Sequence, residues 1–243
     1  MKILKSLSIN FNILYKLFFS NISKIIILSY IYTKIKIFFY RKFYFDNRLL
    51  NENSFLKKYK ITKSWYKNNI IYWLFLIRKY KLFNKKMMIL EIGSYEGASA
   101  VFFLNKLKNI KKLYCVDTWS NKYHYGLTTK NIQYSKIEER FDFNTSFFYN
   151  KIKKFKKTSD LFFKNLSFRD KFDLIYVDGS HKFENVLRDS TNALKNCKKN
   201  GFIIFDDFLR PEPLKAISFF LNKNFQNIKI ILVYNQIVIR KVK

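Results

Sequence analysis

Short apolar runs that end on glycine or aspartate alternate along this chain with stretches of helical periodicity. Met87 to Ile92 closes on Gly93, Lys112 to Val116 on Asp117, Phe172 to Val177 on Asp178-Gly179, and Phe202 to Phe205 on Asp206-Asp207. Runs of that length bounded by turn residues predict buried strands. Lys151 to Lys157 predicts a weaker one. Between them, Ala98 to Leu107, Ile137 to Tyr149 and Asn185 to Cys197 predict helices, the last stopped by Asn200-Gly201. Upstream, Ile70, Ile71, Trp73, Leu74 and Ile77 recur at helical spacing and predict one helix over Trp65 to Phe83. Ile228 to Tyr234 and Ile237 to Arg240, separated by Asn235-Gln236, predict a hairpin. Strand–helix alternation predicts a doubly wound α/β domain, a mostly parallel sheet with helices on both faces. The hairpin adds an antiparallel strand at the end.

The first 45 residues break this pattern. They contain no acid, and they set Lys2, Lys5, Lys16, Lys24, Lys34, Lys36, Arg41 and Lys42 among Ile, Leu, Phe and Tyr. The least polar window, Leu17 to Thr33, is interrupted by Lys24 and falls short of the ~20 apolar residues a spanning helix needs. No small-residue cleavage site follows a compact apolar core, so a secretory signal fits poorly. The plainest reading is one or two helices packed on the domain, and a basic amphipathic helix lying on a membrane surface is the alternative. The chain divides accordingly into a helical extension, residues 1–60, and a catalytic-type domain, residues 61–243.

Composition changes this picture little. The formal charge of +30 points toward nucleic acid or anionic lipid, but only 8 of 47 basic residues are arginine, the residue whose planar fork reads nucleic acid. Lys, Phe, Tyr, Ile and Asn share A/T-rich codons, so codon bias accounts for much of the lysine excess. Cys115 and Cys197 permit no zinc spacing or disulfide framework, so the cytoplasm, with or without membrane association, is the expected compartment.

Three constellations carry chemistry. Glu91-Ile-Gly93-Ser94-Tyr-Glu-Gly97-Ala-Ser99 stands at a strand-to-helix turn. Its glycine spacing is wider than the G-x-G-x-x-G of a pyrophosphate site, and an acid lies beside it, which suits a cation such as a sulfonium. Glycine at such a turn is also common for steric reasons alone. Asp117 ends the next strand, where an acid can accept two ribose hydroxyls or merely cap a helix. Asp178-Gly179-Ser180-His181 and Asp206-Asp207 end two later strands. If those strands are neighbours, the acids lie within ~5 Å, and a divalent cation relieves their repulsion. His181 on the same turn can take a proton from a substrate hydroxyl. The plainer reading makes these turn-forming residues. Four of the five glycines, at 93, 97, 179 and 201, fall in these turns and the helix stop.

In this order, ILEIGSYEGASAVFFL, YCVDTW, IEERFDFN, FDLIYVDGSHKFENVLRDSTNALK and GFIIFDDF resemble the class I S-adenosylmethionine-dependent methyltransferases, and within them the bacterial macrocin-type sugar O-methyltransferases. The likeness runs over about residues 64 to 240. It implies a Rossmann-like sheet of seven strands with the last antiparallel. It implies S-adenosyl-L-methionine held by Glu91, Gly93, Ser94, Gly97, Asp117, Thr118, Trp119, Thr158, Ser159 and Asp178. It implies Mg²⁺ on Asp178, Asp206 and Asp207, and His181 as general base. Thr158 and Ser159 depart from the glycine and acid that many relatives carry there. The stretch Ser120 to Lys136, with His124, is expected in a substrate lid.

The expected activity is methyl transfer to a hydroxyl oxygen of a small molecule, with a homo-oligomer and a peripheral membrane contact through residues 1–45 as further expectations. Nucleic acid is disfavoured as a partner. An RNA methyltransferase is the rival enzyme, supported only by charge; a catalytically inactive, membrane-associated methyltransferase fold is the rival of another class.

Overall fold

The computed structural model describes residues 24–44, 58–120, 134–167 and 171–243. The expected lid around His124 and the ends of the N-terminal extension lie outside them. In chain order the described elements are α1 (Lys24–Tyr44), α2 (Ile70–Lys79), β1 (Met87–Ile92), α3 (Ala98–Lys106), β2 (Ile110–Asp117), α4 (Tyr134–Ser146), β3 (Ile152–Lys156), α5 (Ser159–Lys164), β4 (Phe172–Val177), α6 (Phe183–Asn196), β5 (Cys197–Phe205), α7 (Pro211–Asn224), β6 (Ile228–Val233) and β7 (Ile237–Lys241).

The strands form one seven-stranded sheet in the order β3-β2-β1-β4-β5-β7-β6. β1, β2, β3, β4 and β5 are parallel, and β7 runs antiparallel to both its neighbours. This is the α/β Rossmann-like arrangement the sequence predicts. The reversal of order between β1 and β4 opens the crevice where such sheets bind ligands.

Alternation along each central strand feeds two cores. On β4, Leu174 and Tyr176 face a layer with Trp73, Phe102 and Phe103, while Phe172, Ile175 and Val177 face Val186, Phe205 and Phe220 on the other side. Both faces of the strand are thus buried, which is why it reads as an unbroken apolar run.

α1 lies against this sheet. Ile26, Tyr30, Thr33, Ile37 and Tyr40 are buried, and Thr33 Oγ1 accepts the Val233 N–H at 2.9 Å from the edge strand β6. The helix therefore covers a backbone edge that would otherwise be free to pair. No helix among the described residues is long and apolar enough to cross a membrane.

Three local expectations need correction. The single helix over Trp65 to Phe83 is broken: a 3₁₀ turn at Trp65–Asn68 precedes α2, and Lys81 with φ 51° starts a second at Leu82–Asn84. Asn200-Gly201 does not stop a helix. α6 ends at Asn196, and Asn200, with φ 66°, lies inside β5 where the register with β4 shifts. Finally, α5 and α7 had no counterpart in the sequence reading. α7 opens on Pro211, which suits the first turn of a helix because its missing N–H needs no partner there.

Candidate active site

The first turn is built by a left-handed backbone. Gly93 has φ +85° and Gly97 φ +81°. A Cβ on Gly93 would stand 1.9 Å from the Asp178 carbonyl oxygen. The β1 and β4 turns therefore touch with nothing but a hydrogen between them, and Gly93 is required by that contact rather than by approach to a ligand alone. Gly93 N–H donates to Val116 O at 2.8 Å, and Asp178 N–H to Ile92 O at 2.8 Å, so three strand ends are tied into one rim.

Glu91 lies beneath this turn, fully buried. Ser99 Oγ donates to its Oε1, and Oε2 has no hydrogen bond among the described residues. Burial pushes the carboxyl up to about 7, against the charge-favouring Ser99, Ser94 and Cys115 beside it, while Asp117 adds to the rise. Asp117 spends both oxygens on the rim itself. It accepts Tyr95 N–H and Trp119 N–H, each at 2.9 Å, and Trp119 Nε1–H donates to Tyr95 O at 2.9 Å. Tyr95 and Trp119 both hold positive φ, at 46° and 42°, so the clamp fixes a strained loop. Each carboxylate oxygen keeps a further lone pair for a ligand hydroxyl.

The second turn gathers acids. Asp206 N–H donates to Val177 O at 2.9 Å, which sets the β4 and β5 ends side by side. Burial and then the neighbouring Asp206 and Asp207 carboxylates push Asp178 well above the usual carboxylate range. Burial raises Asp206 too, although the Tyr176 hydroxyl and the Asp207 N–H favour its charge. Asp207 goes the other way: burial works to raise it, and His181 and Arg210 outweigh that and hold it low. His181 Nε2 lies 2.7 Å from Asp207 Oδ2, off the line a hydrogen bond needs, so this is a close electrostatic contact rather than a directed bond. Arg210 Nε stands 3.1 Å from the same oxygen.

Asp178, His181 and Asp207 each bring one donor atom within 4.8 Å of the others. Two carboxylates and an imidazole around one point suit a divalent cation, and the crowding that raises Asp178 is what such an ion relieves. Asp206, also expected on the metal, is turned to Tyr176 and to the Asp207 N–H instead.

A domain model described as a methyltransferase domain matches residues 90–208, from β1 to the last of the clustered acids. Over residues 90–208, about half of the chain, the protein is similar to a methyltransferase domain. An uncharacterized protein of Acanthamoeba polyphaga mimivirus is 25% identical over 122 residues, covering 49% of this chain and 50% of its own, so the chain spans about half the length of the curated relative it matches. An O-methyltransferase from Bacillus cereus in complex with SAH shares 15% identity at a TM-score of 0.53, over 90% of this chain and 100% of its own. MycE, a methyltransferase of the mycinamycin biosynthetic pathway in complex with Mg, SAH and mycinamycin VI, shares 15% identity at 0.52, over 80% of this chain and 54% of its own. A protein from Clostridium thermocellum described as an rRNA-methylase shares 11% at 0.50, over 70% and 97%. At these identities the solved neighbours establish the fold.

The site holds further residues that the sequence reading passed over. Tyr176 donates to Asp206 Oδ2, lies 3.3 Å from Asp178 Oδ2, and accepts Gln236 Nε2–H at 3.0 Å. Gln236 Oε1 in turn accepts Trp73 Nε1–H at 2.9 Å and the Tyr234 hydroxyl. Strand geometry carried the signal for Tyr176, since it shares a face with Asp178. Glu96, buried in the first turn, accepts Thr62 N–H at 2.7 Å and pairs with Arg140 at 2.8 Å, pinning the segment before α2 over the rim. Ser159, expected at the cofactor, donates instead to the buried Asp189 at 2.6 Å, and burial raises that acid to about 6. Thr158 occupies the N-cap position of α5, and Thr118 lies in the chain between Asp117 and the Trp119 whose N–H Asp117 accepts.

Proposed function

We propose that this protein transfers a methyl group from S-adenosyl-L-methionine to a hydroxyl oxygen of a small molecule, a sugar or a small phenol. The observation that carries this reading is the contact between Gly93 and Asp178. It sets two chemically different sites edge to edge at the strand ends, one shaped for a cationic nucleoside and one for a proton and a divalent ion.

The residues that would hold the cofactor are Glu91, Gly93, Ser94 and Gly97 at the first turn, Asp117, Thr118 and Trp119 at the second strand, and Thr158 and Asp178 at the flanks. Glu91 offers a buried carboxylate oxygen free for an ammonium or sulfonium charge. The bound cofactor supplies an electrophilic methyl carbon. His181 accepts the proton of the acceptor hydroxyl, and the Asp207 carboxylate at 2.7 Å stabilises the imidazolium that results. Arg210 keeps Asp207 ionised for that task. A divalent ion such as Mg²⁺ on Asp178, Asp206 and Asp207 would lower the pKa of the acceptor hydroxyl and leave His181 free to take its proton. Tyr176 holds the Asp206 carboxyl in place from below.

The test is transfer of a labelled methyl group to panels of sugars, phenols and ribosomal RNA, with and without EDTA, in wild type and His181→Ala. Labelling of a hydroxyl acceptor, reduced roughly 10²–10⁴-fold in the variant, is expected. Labelling of RNA with no small-molecule acceptor would replace this reading with RNA methylation.

A further inference from the structure

α1 has two apolar faces, and the sheet uses only one. Opposite the buried Tyr30 and Ile37, the side chains of Ile25, Leu28, Tyr32, Ile35, Phe39 and Phe43 all stand exposed, Leu28 and Phe43 each by 65%. Their spacing places them on one stripe about 27 Å long at ~1.5 Å rise per residue. A contiguous apolar surface of that kind is not normal for a monomer facing water.

Charge decides what fits it. At about 100° per residue, Lys24 and Lys42 fall along one flank of the stripe and Lys36 along the other, each about 60° from its centre. Lys36 Nζ sits 3.8 Å over the Tyr32 ring and Lys42 Nζ 5.5 Å over the Phe43 ring, so both stems already lie on the stripe with their ammonium groups at its margin. No acid occurs anywhere in Lys24–Tyr44. A second copy laid on the stripe would bring lysines against lysines from both sides. An anionic bilayer surface instead offers apolar depth for the stripe and phosphates for both flanks. Lys24–Tyr44 is not long and apolar enough to cross a membrane, and a helix with such a stripe would lie along the surface.

We propose that the exposed face of α1 docks on an anionic lipid bilayer surface, the rings and aliphatic side chains entering the headgroup boundary and Lys24, Lys36 and Lys42 meeting lipid phosphates. The sheet-facing side of the same helix stays packed on β6, so docking holds the whole catalytic domain at the surface without unfolding it.

The experiment is co-sedimentation of the full chain with vesicles of phosphatidylcholine alone or with added phosphatidylserine, at low and high salt. Wild type is expected to bind only the anionic vesicles and to release with salt. Leu28→Ser with Phe39→Ser leaves the charge unchanged and should lower partitioning about tenfold or more. Lys24→Gln with Lys42→Gln should lower it about fivefold per lysine. All four positions point outward, so the unfolding midpoint should not move. Binding of the serine variant at wild-type strength would overturn the proposal and leave only the overall charge. So would absence of binding to anionic vesicles, or concentration-dependent dimers that the serine pair abolishes.

Discussion

The Tyr176 hydroxyl donates a hydrogen bond to Asp206 and accepts one from Gln236, so the acid at the end of β5 is held by a hydroxyl on β4 that is itself fixed by an amide in the hairpin turn. Burial and the facing Asp178 and Asp206 carboxylates push the phenol well above its ordinary value, which keeps it a donor at every physiological pH.

Tyr176→Phe should therefore leave Asp206 and the Gln236 amide without their shared partner in a buried setting. A loss of about 1–3 kcal/mol is expected in urea unfolding. Gln236→Leu should cost a similar amount by orphaning Trp73 Nε1 and the Tyr234 hydroxyl. The double variant should cost less than the sum, because both changes remove one network. Full additivity would mean the two groups act independently.

Gly93→Ala should be among the most damaging single changes in the chain. Its φ of +85° already strains an L-residue, and the added methyl would stand 1.9 Å from backbone rather than from a movable side chain. A loss of ~3 kcal/mol or more, or failure to accumulate folded protein, is expected in thermal unfolding. Gly97→Ala shares the strain of a φ of +81°, but its methyl meets only side-chain atoms, the Phe141 ring at 3.1 Å and Thr145 Cγ2 at 3.5 Å, and it should be milder.

These contacts mark where the sequence stops being readable. The strand ends were legible because Asp117, Asp178 and Asp206-Asp207 each follow an apolar run, and the topology followed from alternation. The network under the site was not, because Trp73 and Gln236 belong to a helix and a hairpin turn far apart in the chain, each with a polar atom that looks idle alone. The bond from Ser159 to Asp189 was hidden the same way: Asp189 resembles an ordinary helix-surface acid until α6 turns it inward to 2% exposure. α7 went unseen because Pro211-Glu212-Pro213 reads as a turn, although both prolines fit a first helical turn. Asp206 was expected beside Asp178 because their strands were expected to be neighbours, and it lies there, raising Asp178 by its charge; what the sequence did not carry is that the Tyr176 hydroxyl also holds its carboxyl.

Glu91 gives a pH signature with a definite sign. Its folded value is raised from 4.5 to about 7, so between those values the folded protein holds a proton that the unfolded chain has released. This contribution is fully present below about 4.5, declines as pH rises to about 7, and then levels off, for a total of roughly 3 kcal/mol at ~1.4 kcal/mol per unit. Glu91→Gln should remove that slope, and the difference between the two proteins in pH-dependent unfolding isolates it. Affinity for a cationic cofactor should run the opposite way, rising with pH through about 7 in wild type and staying flat in Glu91→Gln. Parallel slopes in both proteins would show that Glu91 does not meet the cofactor's charge.

The most direct test is calorimetric titration of S-adenosyl-L-methionine into wild type and Asp117→Ala, with NAD as the competing nucleotide. Wild type should bind the methyl donor with micromolar affinity, about −8 kcal/mol. Asp117→Ala should weaken it by roughly 1.5–3 kcal/mol, through lost hydrogen bonds to the ligand and a loosened Tyr95–Trp119 clamp. Binding of NAD in its place, or equal affinity in the variant, would contradict the assignment of this rim as the cofactor site.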